Sequence, residues 1–145
     1  MRIIVAASIK GGVGKTSTAV FLAQALVAQG RSVLAIDCDH NNNLTDFFLR
    51  DVDPQTLQAR NVYNVLSGQM NPTEAVFPLA SGPAVLPATP TLVRAAAELG
   101  QDPGALLRFP AALRWRPRFA DRGYEAKRTR TTCCAARSQK PSRGF

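Results

Sequence analysis

Apolar and polar positions alternate in three distinct ways along the first third of the chain. Ile3-Ile4-Val5-Ala6-Ala7 is an unbroken apolar run of the length of a buried β-strand. Ala19, Leu22, Ala23, Leu26 and Val27 then recur at the three-and-four spacing of one helix face, and Gly30 stands where such a helix would stop. Ser32-Val33-Leu34-Ala35-Ile36 returns to the uninterrupted pattern of a second buried strand. Strand, helix and strand in close succession predict a parallel α/β arrangement. From Phe47 to Val76 the pattern is mixed: Leu57, Asn61 to Leu66 and Ala75 to Phe77 suggest short helices separated by Gly68 and Pro72. Pro83 to Ala88 reads as a short strand. Two helices are expected after it, Leu92 to Leu99 and Pro103 to about Leu113, the second with Asp102 as its N-cap.

Between the first strand and the first helix lies Lys10-Gly11-Gly12-Val13-Gly14-Lys15-Thr16-Ser17. A polyphosphate is held best by many converging backbone N–H groups, which requires a loop free of Cβ crowding. Gly11, Gly12 and Gly14 supply that freedom, and the loop feeds a helix N-terminus whose unpaired N–H groups favour phosphate. In such a loop Lys15 reaches the β- and γ-phosphates and the Thr16 hydroxyl ligates Mg²⁺. A plain glycine turn is the alternative, and the Gly14-Lys15-Thr16 ending in this context argues against it.

The general phosphate-loop pattern has a glycine five residues before Gly14, where this chain has Ile9, and it carries instead a second lysine, Lys10. The string Lys-Gly-Gly-Val-Gly-Lys-Thr resembles the deviant Walker A motif of the ParA/MinD/Soj family of ATPases, which position plasmids, chromosomes and division proteins. In that family the early lysine reaches the phosphates of the partner subunit in an ATP-bound dimer, a role that falls to Lys10 here. Asp37-Cys38-Asp39-His40-Asn41-Asn42-Asn43-Leu44-Thr45 resembles the family's Asp-x-Asp-Pro-Gln-x-Asn-x-Thr switch segment, with His40 in place of proline and Asn41 in place of glutamine. The resemblance implies that Asp39 orients the attacking water and that Asp37 helps to hold magnesium. Two carboxylates two apart on a strand point the same way, and at its C-terminal end they face the crevice where open α/β sheets bind ligands. A solvated Asp/Asn turn is the competing reading of this stretch. Val65-Leu66-Ser67-Gly68 and Leu86-Pro87-Ala88 are also similar to family stretches.

The resemblance implies a P-loop NTPase-like α/β fold, mostly parallel with flanking helices, with ATP and Mg²⁺ as cofactors and an ATP-dependent homodimer in intact relatives. Non-specific DNA and a ParB-like protein are its possible partners; cargo is not legible. Dethiobiotin-synthetase-like and cobyrinic-acid amidating enzymes have similar loops, but the Asp37-x-Asp39 segment followed by Asn43-x-Thr45 argues for the partitioning side.

Composition changes this picture mainly at the C-terminal end. The chain of 145 residues is long enough for one α/β domain. Its net charge of +8 is not evenly spread. Residues 1–107 hold seven Lys and Arg against eight Asp and Glu, whereas residues 108–145 hold eleven against two. The latter stretch has no Ile, Val or Met and one Leu, Leu113, so no buried parallel strand is expected from it. The family's Walker B strand, ending in Asp-x-Pro-Pro beside the phosphate-loop strand, has no counterpart in this sequence. The expected division is therefore a partial ATPase domain over 1–107 and an irregular basic tail over 108–145.

Two accounts of that tail compete: a shifted reading frame near Leu107-Arg108, or a disordered arm that neutralises nucleic-acid phosphates, with Arg114, Trp115, Arg116, Arg118 and Phe119 as its most attractive cluster. On the first, ATP hydrolysis is impaired; on the second, the protein acts as a nucleic-acid binder with the nucleotide domain as switch or relic. Cys38, Cys133 and Cys134 lack metal spacing, and His40, the only histidine, reads as an exposed loop imidazole. The N-terminal run is too short for a signal peptide and no stretch suits a membrane span, so a cytoplasmic location is expected.

Overall fold

A computed structural model of the chain describes residues 2–99 and 130–137. Its elements are β1 (Arg2–Ser8), α1 (Lys15–Ala28), β2 (Ser32–Cys38), α2 (Asn43–Phe48), α3 (Pro54–Ala59), α4 (Val62–Leu66), α5 (Pro72–Ala75), β3 (Ala84–Leu86), α6 (Leu92–Leu99) and β4 (Arg130–Arg137). The strands form one sheet in the order β1-β4-β2-β3, with every strand pair parallel.

Helix α1 ends as its sequence predicts. Gly30 has φ of +73°, its N–H donates to the Val27 carbonyl, and the Arg31 N–H reaches back to the Leu26 carbonyl. That pair of hydrogen bonds is the Schellman stop, which needs a residue in the left-handed region. Three layers result. On one face of the sheet Ala35 and Val85 pack with Ala19 and Val20 of α1 and Leu44 of α2. On the other, Leu34, Ile36 and Leu86 pack with Val62 and Val65 of α4 and with Ala75 and Val76. Alternate residues of β2 thus enter different cores, as strand geometry requires of a sheet covered on both sides.

Three expectations are corrected. The first strand is not buried. β1 stands at the sheet edge, and Ile3 and Val5 keep 51% and 59% of their surface exposed. Its apolar run matches a central strand, but among the described residues it has a strand neighbour on one side only. The second strand is longer than expected, running through Asp37 to Cys38, and a helix, α2, follows at Asn43–Phe48, for which the sequence offers no element.

The third correction concerns residues 108–145, from which no buried parallel strand was expected. β4 runs parallel between β1 and β2, pairing Ile4 with Cys133 and Ala35 with Cys133 in one continuous register. The expectation looked for Ile, Val and Leu, whereas Arg130-Thr-Thr-Cys-Cys-Ala-Ala-Arg137 uses other residues compatible with a strand. Threonine is β-branched like valine, and branching at Cβ favours an extended backbone. The helix expected from Pro103, the aromatic and arginine cluster at 114–119 and the question of reading frame lie outside the described residues.

Candidate nucleotide-binding site

The loop from Ile9 to Gly14 leaves the C-terminal end of β1 and enters α1 directly. Gly12 has φ of +75° and Gly14 +82°, a region that residues with a Cβ enter only under strain. A Cβ at either position would meet no atom within 4 Å, so backbone conformation and not crowding selects glycine in the free loop. Gly14 is itself the N-cap of α1 and offers no side-chain cap, and the first turn holds no acidic residue. The Thr18 N–H makes the first bond into the helix, to the Gly14 carbonyl at 2.8 Å. The N–H groups ahead of it are the unpaired donors of a helix start, where the dipole favours an anion. The loop is tied by two bonds of its own: Lys10 N–H to Ser8 Oγ at 3.2 Å, and Lys15 Nζ to the Lys10 carbonyl at 3.1 Å. The second holds the Lys15 ammonium against the loop it follows. Gly11, Gly12, Val13, Gly14 and Ser17 are exposed, and Lys15 and Thr16 half-buried.

The N-terminus of α2 is built in the opposite way. Its N-cap, Asn42, sits in the left-handed region with φ of +47° and makes no side-chain cap bond. The cap comes from β2. Asp37 Oδ2 accepts from both the Thr45 N–H (2.9 Å) and the Thr45 hydroxyl (2.8 Å), while Oδ1 accepts from the Asp39 N–H (3.1 Å). The Thr45 hydroxyl oxygen in turn accepts from the Ala88 N–H at 2.9 Å, joining α2 to the segment that follows β3. Asp37 is 1% exposed, and burial pushes its carboxyl above the usual carboxylate range, an effect opposed by the bonds from Thr45 and Asp39.

Asp39 follows β2 and is 8% exposed. Its Oδ1 accepts from both the backbone N–H and the Nδ2 of Asn41, each at 3.0 Å, and the His40 ring Nδ1 lies 3.6 Å away. His40 is therefore half-buried against Asp39, not the freely exposed imidazole expected.

Because β1 and β2 run parallel, both carry these groups to the same rim of the sheet. Ala6 and Asp37 each pair in register with Ala135, which puts them about 10 Å apart, two inter-strand spacings. Ala19 and Val20 on α1 share a core with Leu44 on α2, so the helices that begin with the two segments pack together. No hydrogen bond or ion pair among the described residues joins Asp37 or Asp39 to Lys10, Lys15 or Thr16, and no cluster of three metal-ligating side chains occurs there. The sequence reading missed Thr45 as the hub between Asp37 and Ala88. Its only trace was the last position of the Asn43-x-Thr45 pattern, which says nothing of a partner 43 residues away.

The model of an AAA domain family matches residues 1–114, most of the chain. Soj, the chromosome-partitioning ATPase of Thermus thermophilus, is 38% identical over 125 residues, covering 86% of this chain and 43% of Soj. The chain belongs to the ParA/MinD/Soj family. Solved structures agree with the fold. Cobyrinic acid a,c-diamide synthase from Mycobacterium smegmatis, with bound ATP analog and magnesium, superposes with a TM-score of 0.74 at 31% identity over 93% of this chain and 51% of that one. A substituted McdA of Cyanothece in complex with ATP gives 0.72 at 27% identity, over 95% of this chain and 49% of its own. This ParA-family chain thus spans about half the length of the relatives it matches. Among its described residues no helix is long and apolar enough to cross a membrane.

Proposed function

We propose that the chain binds ATP with Mg²⁺ at the Lys10–Ser17 loop, as the nucleotide-binding part of a ParA-type ATPase for partitioning or intracellular positioning of cargo. The observation that carries this reading is the contrast between the two helix starts. α2 receives a carboxylate from its own chain, whereas α1 begins on Gly14 with no side-chain cap and no acidic residue in its first turn. A helix start of that kind behind two glycines of positive φ fits a phosphate chain.

The roles assigned to the residues follow from their places. The backbone of Gly11, Gly12, Val13 and Gly14 with the N–H groups of Lys15, Thr16 and Ser17 would cradle the phosphates. Lys15 would exchange the Lys10 carbonyl for a phosphate oxygen, and Thr16 would offer its hydroxyl to the metal. Asp37 fits a supporting role better than direct ligation, since both its oxygens already accept hydrogen bonds. Asp39 would orient the attacking water, and Lys10 would reach the phosphates of a second subunit in an ATP-dependent homodimer.

Hydrolysis by this chain should be weak. The strand beside the phosphate-loop strand, where the family carries its second acidic magnesium residue, is here β4, which contains no Asp or Glu and ends in Arg137. Titration with a fluorescent ATP analogue tests the binding step. Lys15→Ala should weaken it at least tenfold, about 1.4 kcal/mol, and unchanged affinity would overturn the assignment. Robust Lys15-dependent turnover would overturn the expectation of weak hydrolysis.

The strongly basic composition of residues 108–145 supports a second reading, nucleic-acid binding through phosphate neutralisation. Such binding should weaken steeply with added salt and persist in Lys15→Ala. Retention of DNA affinity after deletion of 138–145 together with substitution of Arg114, Arg116 and Arg118 would remove that reading.

A further inference from the structure

Asp39 is held at its backbone and at its side chain. Its N–H donates to Asp37 Oδ1 at 3.1 Å and its carbonyl accepts from the Asn42 N–H at 2.9 Å, so the backbone is fixed from both sides. The side chain is fixed by the residue two positions on. The N–H and the Nδ2 of Asn41 both donate to Oδ1, each at 3.0 Å, and the His40 ring Nδ1 stands 3.6 Å from the same oxygen.

The two halves of that fork differ in what they require. The backbone half is the Asx turn that an aspartate forms with the amide two residues on, and any residue but proline supplies it. The side-chain half depends on what stands at position 41. Asparagine suits the place, because both donors leave one residue and converge on one oxygen. Glutamine, which the family carries there, has one torsion more and loses more freedom in making the same bond. A hydrogen bond to a carboxylate that is 8% exposed is also one of the stronger kinds. With its backbone and one oxygen pinned, the Asp39 carboxylate has a single direction left for the other oxygen.

We propose that Asn41 is a positioning residue for ATP hydrolysis, its amide fixing the Asp39 carboxylate through Oδ1 so that Oδ2 is the oxygen presented to the attacking water. The inference rests on the water-orienting role proposed above for Asp39. Oδ1 already accepts two hydrogen bonds, so the acceptor that a water needs is supplied by Oδ2. Misplacing such a group by about 1 Å costs on the order of 100-fold in rate, which sets the scale on which one hydrogen bond to it matters. Asn41 is itself exposed, so replacing it removes little packing.

Asn41→Ala removes the side-chain bond and keeps the backbone one. Phosphate release by the full chain with Mg²⁺, with protein in excess of ATP, reads the slow chemical step, and titration with the fluorescent ATP analogue reads binding. Release should fall about tenfold or more in Asn41→Ala, and further in Asn41→Asp, which sets a carboxylate against Oδ1. Affinity for the analogue should change less than about twofold in both. Asn41→Gln keeps a donor and should recover most of the rate. The three-bond couplings from Asp39 Cγ to its backbone nitrogen and carbonyl carbon report the rotamer without any turnover: one staggered value in the parent, an average in Asn41→Ala. An unchanged rate in Asn41→Ala, a fall matched by lost affinity, or a rotamer indifferent to that substitution would each overturn the proposal. Phosphate release that is absent from the parent, or that survives Asp39→Ala, removes the water-orienting reading of Asp39 and the inference with it. Failure of the inference alone leaves release sensitive to Asp39 and insensitive to Asn41.

Discussion

Replacing Thr45 with valine tests the link between α2 and the rest of the sheet. Thr45 is fully buried, and valine matches its shape while removing its hydroxyl. Two interactions disappear: the hydroxyl bond to Asp37 Oδ2 at 2.8 Å and the acceptor for the Ala88 N–H at 2.9 Å. The first is a bond to a carboxylate, worth about 1.5–3 kcal/mol, and the second leaves a buried N–H unpaired at about 1–3 kcal/mol. The added methyl recovers about 1 kcal/mol of apolar burial, so the expected net loss is about 3 kcal/mol. For a chain of this size that lowers Tm by about 10 °C. Thr45→Ser keeps both bonds and loses one buried methyl, about 1 kcal/mol. Urea unfolding of the three proteins, followed by far-UV circular dichroism, measures the differences. The reasoning fails if valine costs less than about 1 kcal/mol or no more than serine does.

Arg60→Ala removes two charged hydrogen bonds and a cation–π contact at the β3 edge and should cost about 2–3 kcal/mol by the same unfolding assay. Arg60→Lys should recover less than half, because an ammonium cannot reproduce the planar fork. Asn61, 1% exposed, accepts from the Asn64 N–H and donates to the Leu57 and Gln58 carbonyls, so Asn61→Ala should destabilise by about 2–3 kcal/mol. The hydrogen bond from the Tyr63 hydroxyl to the Glu98 carboxylate, with that carboxylate's charge, holds the phenol above its ordinary value. Any stability the pair supplies is present below the ordinary phenol pKa and lost as pH rises through the native one. NMR titration of the tyrosine Cζ resonance should show the midpoint falling in Glu98→Gln; an unmoved midpoint would refute the contact.

The strand-to-helix turn at Lys10–Ser17 was legible because its signal is local: glycine spacing, a lysine and a threonine in sequence mark such a turn without help from elsewhere. β2 and α6 were legible from periodicity, α6 at Leu92–Leu99 as expected. The exposure of β1 was not, since Ile3 to Ala7 reads alike whether a second neighbour is present or absent. β4 was hidden by a search for branched aliphatics where threonine and cysteine stand instead. Thr45 escaped because its partners, Asp37 and Ala88, lie 8 and 43 residues away, beyond any spacing rule.

The borrowed cap of α2 has a consequence for the order in which the protein assembles. Six residues are too few to sustain a helix in water, and the residue before them contributes no cap bond. Residues 43–48 therefore gain helical form only after β2 has delivered Asp37 and the chain beyond β3 has brought Ala88 to Thr45. An excised peptide of the segment should be a coil. In the intact protein the backbone amides of this segment should exchange hydrogen before those of β2. The piece of chain next to Asp39 thus owes its helical form to contacts made from β2 and from beyond β3.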